Sequence, residues 1–187
     1  MKMCCKFFGF QISFLKNNPK MKVYNYDIKD QTKAVKVRMD NAKASFKNTR
    51  ETSRMLRGKT IPEAIKYLDD VLAHKTCVPM RRYARGVGRT AQANKYGVQR
   101  GRWPEKSVKL FKILISKLIG YAGVKGIEKE DLVIKHVQVN KAPVIYGRIY
   151  RAHGRVNAFN KKPCHVEMVA EKKEAEVPEL DEEILEN

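Results

Sequence analysis

The chain has 187 residues and a formal net charge of +19, with 39 lysines and arginines against 20 acidic residues. Residues 1–170 alone hold 37 basic and 12 acidic side chains, and an excess of this size predicts a polyanionic partner. The length predicts one domain with extensions. We find neither the basic amphipathic helix or lipidation signal of a membrane-surface protein nor the roughly 18 apolar residues of a membrane span.

Residues 1–20 form an N-terminal extension, which we expect to be disordered. Residues 7–15 are apolar enough for a signal-peptide core, but Gln11 and Ser13 interrupt them and no small-residue cleavage site follows, so we expect no secretion. The cysteines form no C-x-x-C pair, which favours reduced thiols in the cytosol or nucleus over a zinc site. They are Cys4, Cys5, Cys77 and Cys164.

Two helices are predicted next. Residues 47–57 indicate a short basic helix that begins at Asn48 or Thr49. Residues 60–63 (TIPE) fit a capping box, and apolar residues at helical spacing extend the second helix to about Lys75. These apolar residues are Ile61, Ala64, Ile65, Leu68 and Leu72.

Residues 77–103 hold seven basic residues, four glycines and no acid. Unpaired cations in a glycine-rich segment repel one another, so we expect this insertion to gain order only when a polyanion neutralises it. Tyr83, Tyr96 and Trp103 add flat surfaces on which unpaired bases can stack. The basic residues are Arg81, Arg82, Arg85, Arg89, Lys95, Arg100 and Arg102.

A third helix and two strands complete the predicted elements. Pro104 and Glu105 begin the helix, which has a wide apolar face and is ended by Gly123 and Gly126. Residues 132–139 and 164–170 are the strands, and they form either a long antiparallel hairpin or two strands separated by a loop. In the second strand the residues that share one face are Cys164, Val166, Met168 and Ala170.

Residues 140–163, between the two strands, are a second basic segment without acids, and Gly147 and Gly154 are its bend points. Fully extended, its first dozen residues reach roughly 40 Å at about 3.3 Å each. Extended basic loops without a recognition helix favour RNA over DNA. The basic residues are Lys141, Arg148, Arg151, Arg155, Lys161 and Lys162, and the aromatic residues are Tyr146, Tyr150 and Phe159.

No constellation of residues supports catalysis or metal binding. His165 and Glu167 match the H-x-E of zinc deaminases, but no P-C-x-x-C follows, so we expect an outward-facing cross-strand pair. Asp69 and Asp70 are neighbours on a helix and point in different directions, which favours solvated helix surface over an acid–base pair. The sequence therefore predicts no enzyme, no metal, no cofactor and no small-molecule substrate.

Several short strings together resemble the universal large-subunit ribosomal protein family called L-twenty-two in bacteria and L-seventeen in eukaryotes. The resemblance covers roughly residues 21–170, and the insertion at residues 77–103 is typical of the eukaryotic form. Residues 144–147 stand where many eukaryotic members carry an arginine run, so this arm is less basic here. The strings are FKNTRET (46–52), AIKYLDDV (64–71), CVP (77–79), RRY (81–83), GVGR (86–89), QRGRWP (99–104), VNKAP (139–143) and YRAHGR (150–155).

The resemblance implies an α+β fold in which three helices pack on a small antiparallel sheet. A long β-hairpin at residues 132–170 and the basic glycine-rich insertion protrude from this domain, which spans residues 21–170. A strand near residues 44–46 would be the third member of the sheet. Residues 171–187 follow as an acidic tail, which we expect to be disordered.

The resemblance also implies a structural role in the large ribosomal subunit, in the cytosol after assembly in the nucleolus. The implied partners are large-subunit rRNA, neighbouring large-subunit proteins and, beside the hairpin tip at residues 151–155, the nascent peptide in the exit tunnel. A non-ribosomal regulatory protein that binds RNA is the alternative. The expected RNA-binding residues are Lys47, Asn48, Arg50, Arg54, Arg57, Arg81, Arg82, Tyr83, Arg85, Arg89, Lys95, Arg100, Arg102, Trp103, Lys141, Arg148, Arg151, His153, Arg155, Lys161 and Lys162.

Overall fold

The computed structural model describes residues 24–28 and 30–173, so the expected extension at residues 1–20 and residues 174–187 of the expected acidic tail lie outside it. The chain has an α+β fold, as the sequence predicts. The helices are α1 (Phe46–Leu56), α2 (Ile61–Leu72) and α3 (Glu105–Val124). The strands are β1 (Ala34–Ala42), β2 (Val78–Pro79), β3 (Gly101–Arg102), β4 (Leu132–Lys141), β5 (Arg148–Tyr150), β6 (Val156–Ala158) and β7 (Cys164–Lys172).

The main sheet is antiparallel and has three strands in the order β1–β7–β4. The predicted alternation in the central strand β7 is confirmed, because the four residues that share one face are fully buried in the core. These residues are Cys164, Val166, Met168 and Ala170. Helices α1 and α3 pack against the sheet, and α2 packs on α3.

The third strand is β1, and the expectation of a strand near residues 44–46 is wrong. In β1 the apolar residues alternate with charged ones, so Val35 and Val37 enter the core opposite residues of β7. The register shifts beyond Met39, and Asn41 adopts a left-handed φ of 53°. The chain then turns into α1, which leaves residues 44–46 outside the sheet.

Helix α1 begins earlier than the sequence predicts. Its N-cap is Ser45, whereas Asn48 and Thr49 lie inside the first turns. The Thr49 hydroxyl donates a hydrogen bond to the Ser45 carbonyl oxygen at 2.9 Å, so this side chain is used within the helix and does not cap it.

The capping box of α2 is confirmed, since the Thr60 N–H donates to the Glu63 carboxylate at 3.3 Å. This helix ends before the expected limit at Lys75, because His74 has a left-handed φ of 58°. Helix α3 begins at Glu105 as predicted. The large side chains that fill the core between these helices and the sheet include Leu56, Ile61, Leu68, Phe111, Leu114, Ile115, Leu118, Leu132 and Ile134.

The second face of the sheet is also covered, which corrects the expectation that His165 and Glu167 face outward. Glu167 is only 5% exposed, and its Oε1 lies 3.6 Å from His136 Nε2. Tyr26 stacks on the His136 ring with the ring centroids 5.1 Å apart. His165 Nδ1 accepts a hydrogen bond from the Asn41 N–H at 3.3 Å. Tyr26, in the segment before β1, therefore packs over His136 beside the buried Glu167.

The insertion at residues 77–103 has contacts of its own, contrary to the expectation that it gains order only on neutralisation. Strands β2 and β3 pair antiparallel, and the Met80 N–H donates to the Arg100 carbonyl oxygen at 3.0 Å. Cys77, Met80 and Ala93 are buried and give the insertion a small apolar anchor. This anchor and the backbone hydrogen bonds hold the glycine-rich chain despite its charge.

Strands β4 and β7 form the base of a long hairpin. They pair until Lys141 lies opposite Cys164, and nearer the tip β5 pairs with β6. The tip is the turn Ala152–Gly154, in which His153 has a φ of 60°. At its other end β7 continues to Lys172, two residues beyond the expected domain limit.

Gly101→Ala tests the apolar anchor of the insertion. A Cβ at Gly101 would lie 2.6 Å from the Cys77 sulfur and 3.3 Å from the Ala93 Cβ. We expect this overpacking to lower the free energy of unfolding by about 1–3 kcal/mol, measured by urea denaturation. Gly88→Ala is the matched control, because a Cβ there meets no heavy atom within 4 Å. Equal midpoints for the two variants would show that the anchor is not tightly packed.

Candidate nucleic-acid interface

The outer face of α1 carries the first group of expected RNA-binding residues. Arg50, Arg54 and Arg57 line a cleft of about 520 Å³ between α1 and residues 137–139 of β4. Arg57 Nε donates to the Lys135 carbonyl oxygen at 3.1 Å, which fixes one guanidinium at this cleft. Three cations in one concave surface are suited to a phosphate backbone. The expected residues on or next to this helix are Lys47, Asn48, Arg50, Arg54 and Arg57.

Three exposed arginines of the insertion hydrogen-bond to its own backbone carbonyls. A guanidinium has five N–H donors, so each of these side chains keeps donors for an outside acceptor. A carbonyl is a neutral partner and leaves the positive charge in place. The pairs, at 2.9 to 3.0 Å, are Arg81 with Tyr96, Arg100 with Ala84 and Arg102 with Gly86. The other expected cations of the insertion, all exposed, are Arg82, Arg85, Arg89 and Lys95.

Glu51 joins α1 to the insertion, a role that was not predicted from the sequence. Its carboxylate is 1% exposed and accepts the backbone N–H groups of Arg81 at 3.3 Å and Arg82 at 3.2 Å. Arg50 Nη1 donates to the same carboxylate at 3.0 Å. A buried carboxylate needs such partners to offset the loss of hydration. The available signal was that Glu51 is the single acid in a basic helix.

Helix α1, the insertion and the base of the hairpin meet at Phe46. The Tyr83 ring packs edge-on against the Phe46 ring with the centroids 6.1 Å apart. The cations of Lys47 and Arg82 each lie 5.9 Å from the Tyr83 ring centre, and Lys141 lies 5.7 Å from the Phe46 ring centre. These distances fit cation–π contacts. Expected RNA-binding residues from three separate stretches of sequence therefore share one surface.

Lysines line two further clefts beside this junction. A cleft of about 410 Å³ is lined by Lys43, Lys106, Lys161 and Lys162. A neighbouring cleft of about 690 Å³ includes Lys141 and Lys162. Lys43 and Lys106 were not predicted, because each is a single lysine in ordinary sequence. Only the fold brings the end of β1 and the start of α3 to the hairpin base.

The distal hairpin exposes both its cations and its aromatic rings. Tyr146 is 81% exposed, Tyr150 is 78% exposed and Phe159 is 58% exposed. The arms are joined where the Phe159 N–H donates to the Gly147 carbonyl oxygen at 2.8 Å. These rings pack little on the protein itself and offer surface to a partner. The expected residues here, all exposed, are Arg148, Arg151, His153 and Arg155.

Trp103 has a structural contact that differs from the base stacking predicted for it. Its indole N–H donates to Gln92 Oε1 at 3.2 Å, and its ring meets the His74 ring edge-on at 5.2 Å between centroids. Gln92 in turn donates to the His74 carbonyl oxygen at 2.8 Å. The half-buried Trp103 therefore closes the insertion against the end of α2.

The described part of the chain contains no cluster of three or more possible metal ligands. None of its helices combines the length and the apolar character needed to cross a bilayer. Cys77 and Cys164 are free and buried, and burial raises the pKa of both thiols, which makes them poor nucleophiles. Asp69 forms an ion pair with Lys112, as suits a helix surface. The chemistry that this arrangement supports is the binding of a polyanion.

Comparison with known proteins gives a consistent result. A family profile described as "Ribosomal protein L22p/L17e" matches residues 37–171. The chain is 43% identical to the large ribosomal subunit protein uL22 of Podocoryna carnea over 161 residues, which cover 86% of this chain and 88% of that protein. It is 43% identical over 151 residues to uL22 of Argas monolakensis, covering 81% and 82%. It is 40% identical over 159 residues to uL22 of Yarrowia lipolytica, covering 85% and 86%.

Glu51→Gln tests the contact between α1 and the insertion. The amide keeps the volume of the side chain but loses the charge and one acceptor oxygen, so we expect about 1–3 kcal/mol of destabilisation. Hydrogen exchange at the Arg81 and Arg82 amides should accelerate in the same variant, measured by NMR. Glu128→Gln removes one charge from an exposed residue and serves as the control. Unchanged exchange at both amides would contradict this role of Glu51.

Proposed function

The chain belongs to the ribosomal protein L22p/L17e family, and from this premise we propose that it is a structural constituent of the large ribosomal subunit. The relatives named above are large-subunit proteins by name, and this chain covers most of their length. The family is structural, so we assign the chain no enzymatic turnover. Its role is to bind large-subunit rRNA through the basic surface described above.

The observation that carries this proposal is the meeting of α1, the insertion and the hairpin base around Phe46 and Tyr83. Neutralising phosphates with such a surface releases counterions, which favours binding whatever the RNA sequence. The arginines add a second property, because a guanidinium fork can hold two phosphate oxygens or stack on a base. A surface of this kind fits a folded RNA that presents several phosphates at once.

The hairpin supports the second part of the proposal. Its distal half exposes cations and aromatic rings on both arms. We infer that this arm is inserted between rRNA segments, where phosphates neutralise the cations and bases cover the rings. On this proposal the tip at residues 151–155 lines the nascent-peptide exit tunnel and contacts the nascent peptide. Neighbouring large-subunit proteins are further partners, in the cytosol after nucleolar assembly.

Sedimentation separates this proposal from a free regulatory RNA-binding protein. In a gradient of cell extract, a tagged chain should co-migrate with large subunits and polysomes after a moderate salt wash. EDTA, which separates the two subunits, should leave the chain with the large one. A chain that stays at the top of the gradient in both conditions would favour the regulatory alternative.

Salt dependence tests how the surface binds RNA. If about ten phosphates are contacted, log affinity for large-subunit rRNA should fall with log salt at a slope of roughly −7 to −9. Arg54→Ala removes one exposed cation of the α1 cleft and should weaken binding and reduce the slope by about 1. Lys129→Ala, at an exposed residue outside the expected interface, should leave the slope unchanged. A parent slope near −2 would count against phosphate neutralisation.

A further inference from the structure

A groove lies between β1, which is an edge strand of the main sheet, and α3. It has a volume of about 480 Å³ and shares no residue with the surfaces assigned to RNA above. Its lining combines apolar or aromatic side chains with cations. The apolar or aromatic side chains include Tyr24, Tyr121 and Val124, and the cations include Lys36, Lys117 and Lys125.

The groove presents side chains that are normally covered. Tyr121 is 54% exposed and Val124 is 88% exposed, although they adjoin each other on one side of α3. The Lys36 ammonium lies 5.5 Å from the centre of the Tyr24 ring at the same groove. No acidic side chain is among the described residues that line it. An edge strand beside an exposed apolar patch is a surface that proteins usually protect. Its charge and apolar character fit an acidic segment with a few apolar residues.

The chain itself contains such a segment at residues 174–187. These 14 residues hold seven acids and no lysine or arginine. Val177, Leu180 and Ile184 are spaced three and four residues apart, a spacing that places side chains on one face of a helix. The acidic side chains would then pair with the cations of the groove, and the apolar side chains would pack on its aromatic rings.

Strand β7 ends close to the groove. The Lys172 N–H donates to the Lys33 carbonyl oxygen at 3.0 Å, so the chain leaves the sheet beside the start of β1. Lys125 of the groove lies at the same place, since its Nζ donates to the Ala34 carbonyl oxygen at 2.7 Å. Fourteen residues reach roughly 46–50 Å when extended and about 21 Å when helical. The groove follows β1 over residues 35–38, about 13 Å of strand, so either form is long enough.

We propose that residues 174–187 dock in cis into the groove between β1 and α3. Acidic side chains of the segment pair with Lys36 and Lys117, and its apolar residues pack on Tyr121 and Val124. Docking covers the open edge of the sheet and neutralises the cations of this side. Docking would thereby direct rRNA to the surface formed by α1, the insertion and the hairpin. This consequence rests on the proposed function, but the docking itself does not.

NMR of the RNA-free full-length protein tests the docking directly. Leu180→Ser/Ile184→Ser removes two of the three apolar side chains of the segment and keeps its charge. We expect amide shift differences from the parent at residues 35–38 and 117–125. In a Lys36→Glu/Lys117→Glu background the same two serines should produce no shift differences at these amides. A Lys66→Glu/Lys129→Glu background has equal net charge outside the groove and should preserve them.

Three results would overturn the proposal. The first is that the serine substitutions leave the amides of the groove unchanged in the parent background. The second is that the groove amides respond instead to deletion of residues 1–23, which would identify the N-terminal segment as the occupant. The third is that the shift differences grow with protein concentration, which would indicate a second copy of the chain. Because no RNA is present, each result is independent of the sedimentation test of ribosomal function.

Discussion

One buried carboxylate holds two strongly basic parts of the molecule together. Glu51 lies between α1 and the insertion. Without it, the cations of α1 and those of the insertion would repel each other. Its acceptors are used mainly by the backbone N–H groups of Arg81 and Arg82, so the two guanidinium groups are left for the outer surface. The junction of Phe46 with Tyr83 depends on this arrangement, since it forms only when the insertion lies against α1.

Elsewhere in the candidate RNA interface, side chains are also ordered by backbone groups and keep their positive charge. Arginines of the insertion bond to backbone carbonyls, which order the loop without cancelling any positive charge. By contrast, several ion pairs lie away from the proposed RNA surface, such as Lys112 with Asp69 and Lys172 with Asp131. Within the insertion, neutral carbonyl acceptors therefore order the arginines, whereas the Glu51 carboxylate beside them is buried and forms an ion pair with Arg50. A high net charge and an ordered insertion are compatible for this reason.

The sequence predicted the elements whose signals are local. The capping box of α2, the apolar face of α3 and the alternation in β7 each lie within one stretch of chain. Strand β1 was misplaced although Val35, Val37 and Met39 alternate with charged residues, because the family resemblance and not this pattern set the expectation. The burial of Glu51 and Glu167 could not be predicted, since it depends on distant segments that fold over them. The lysine-lined clefts were missed for the same reason.

The pairing of the hairpin changes register between its base and its tip, where a bridge between Ile145 and Lys161 joins the two arms, and this has a consequence for the length of the arm. The ladder of β4 and β7 ends where Lys141 faces Cys164, and a separate ladder of β5 and β6 begins nearer the tip. Side chains alternate with a period of two, so a one-residue slip within the lower ladder would turn core residues outward. Insertions or deletions beyond the change of register leave the lower ladder intact. A change in the length of the distal arm is therefore compatible with the packing of the globular base.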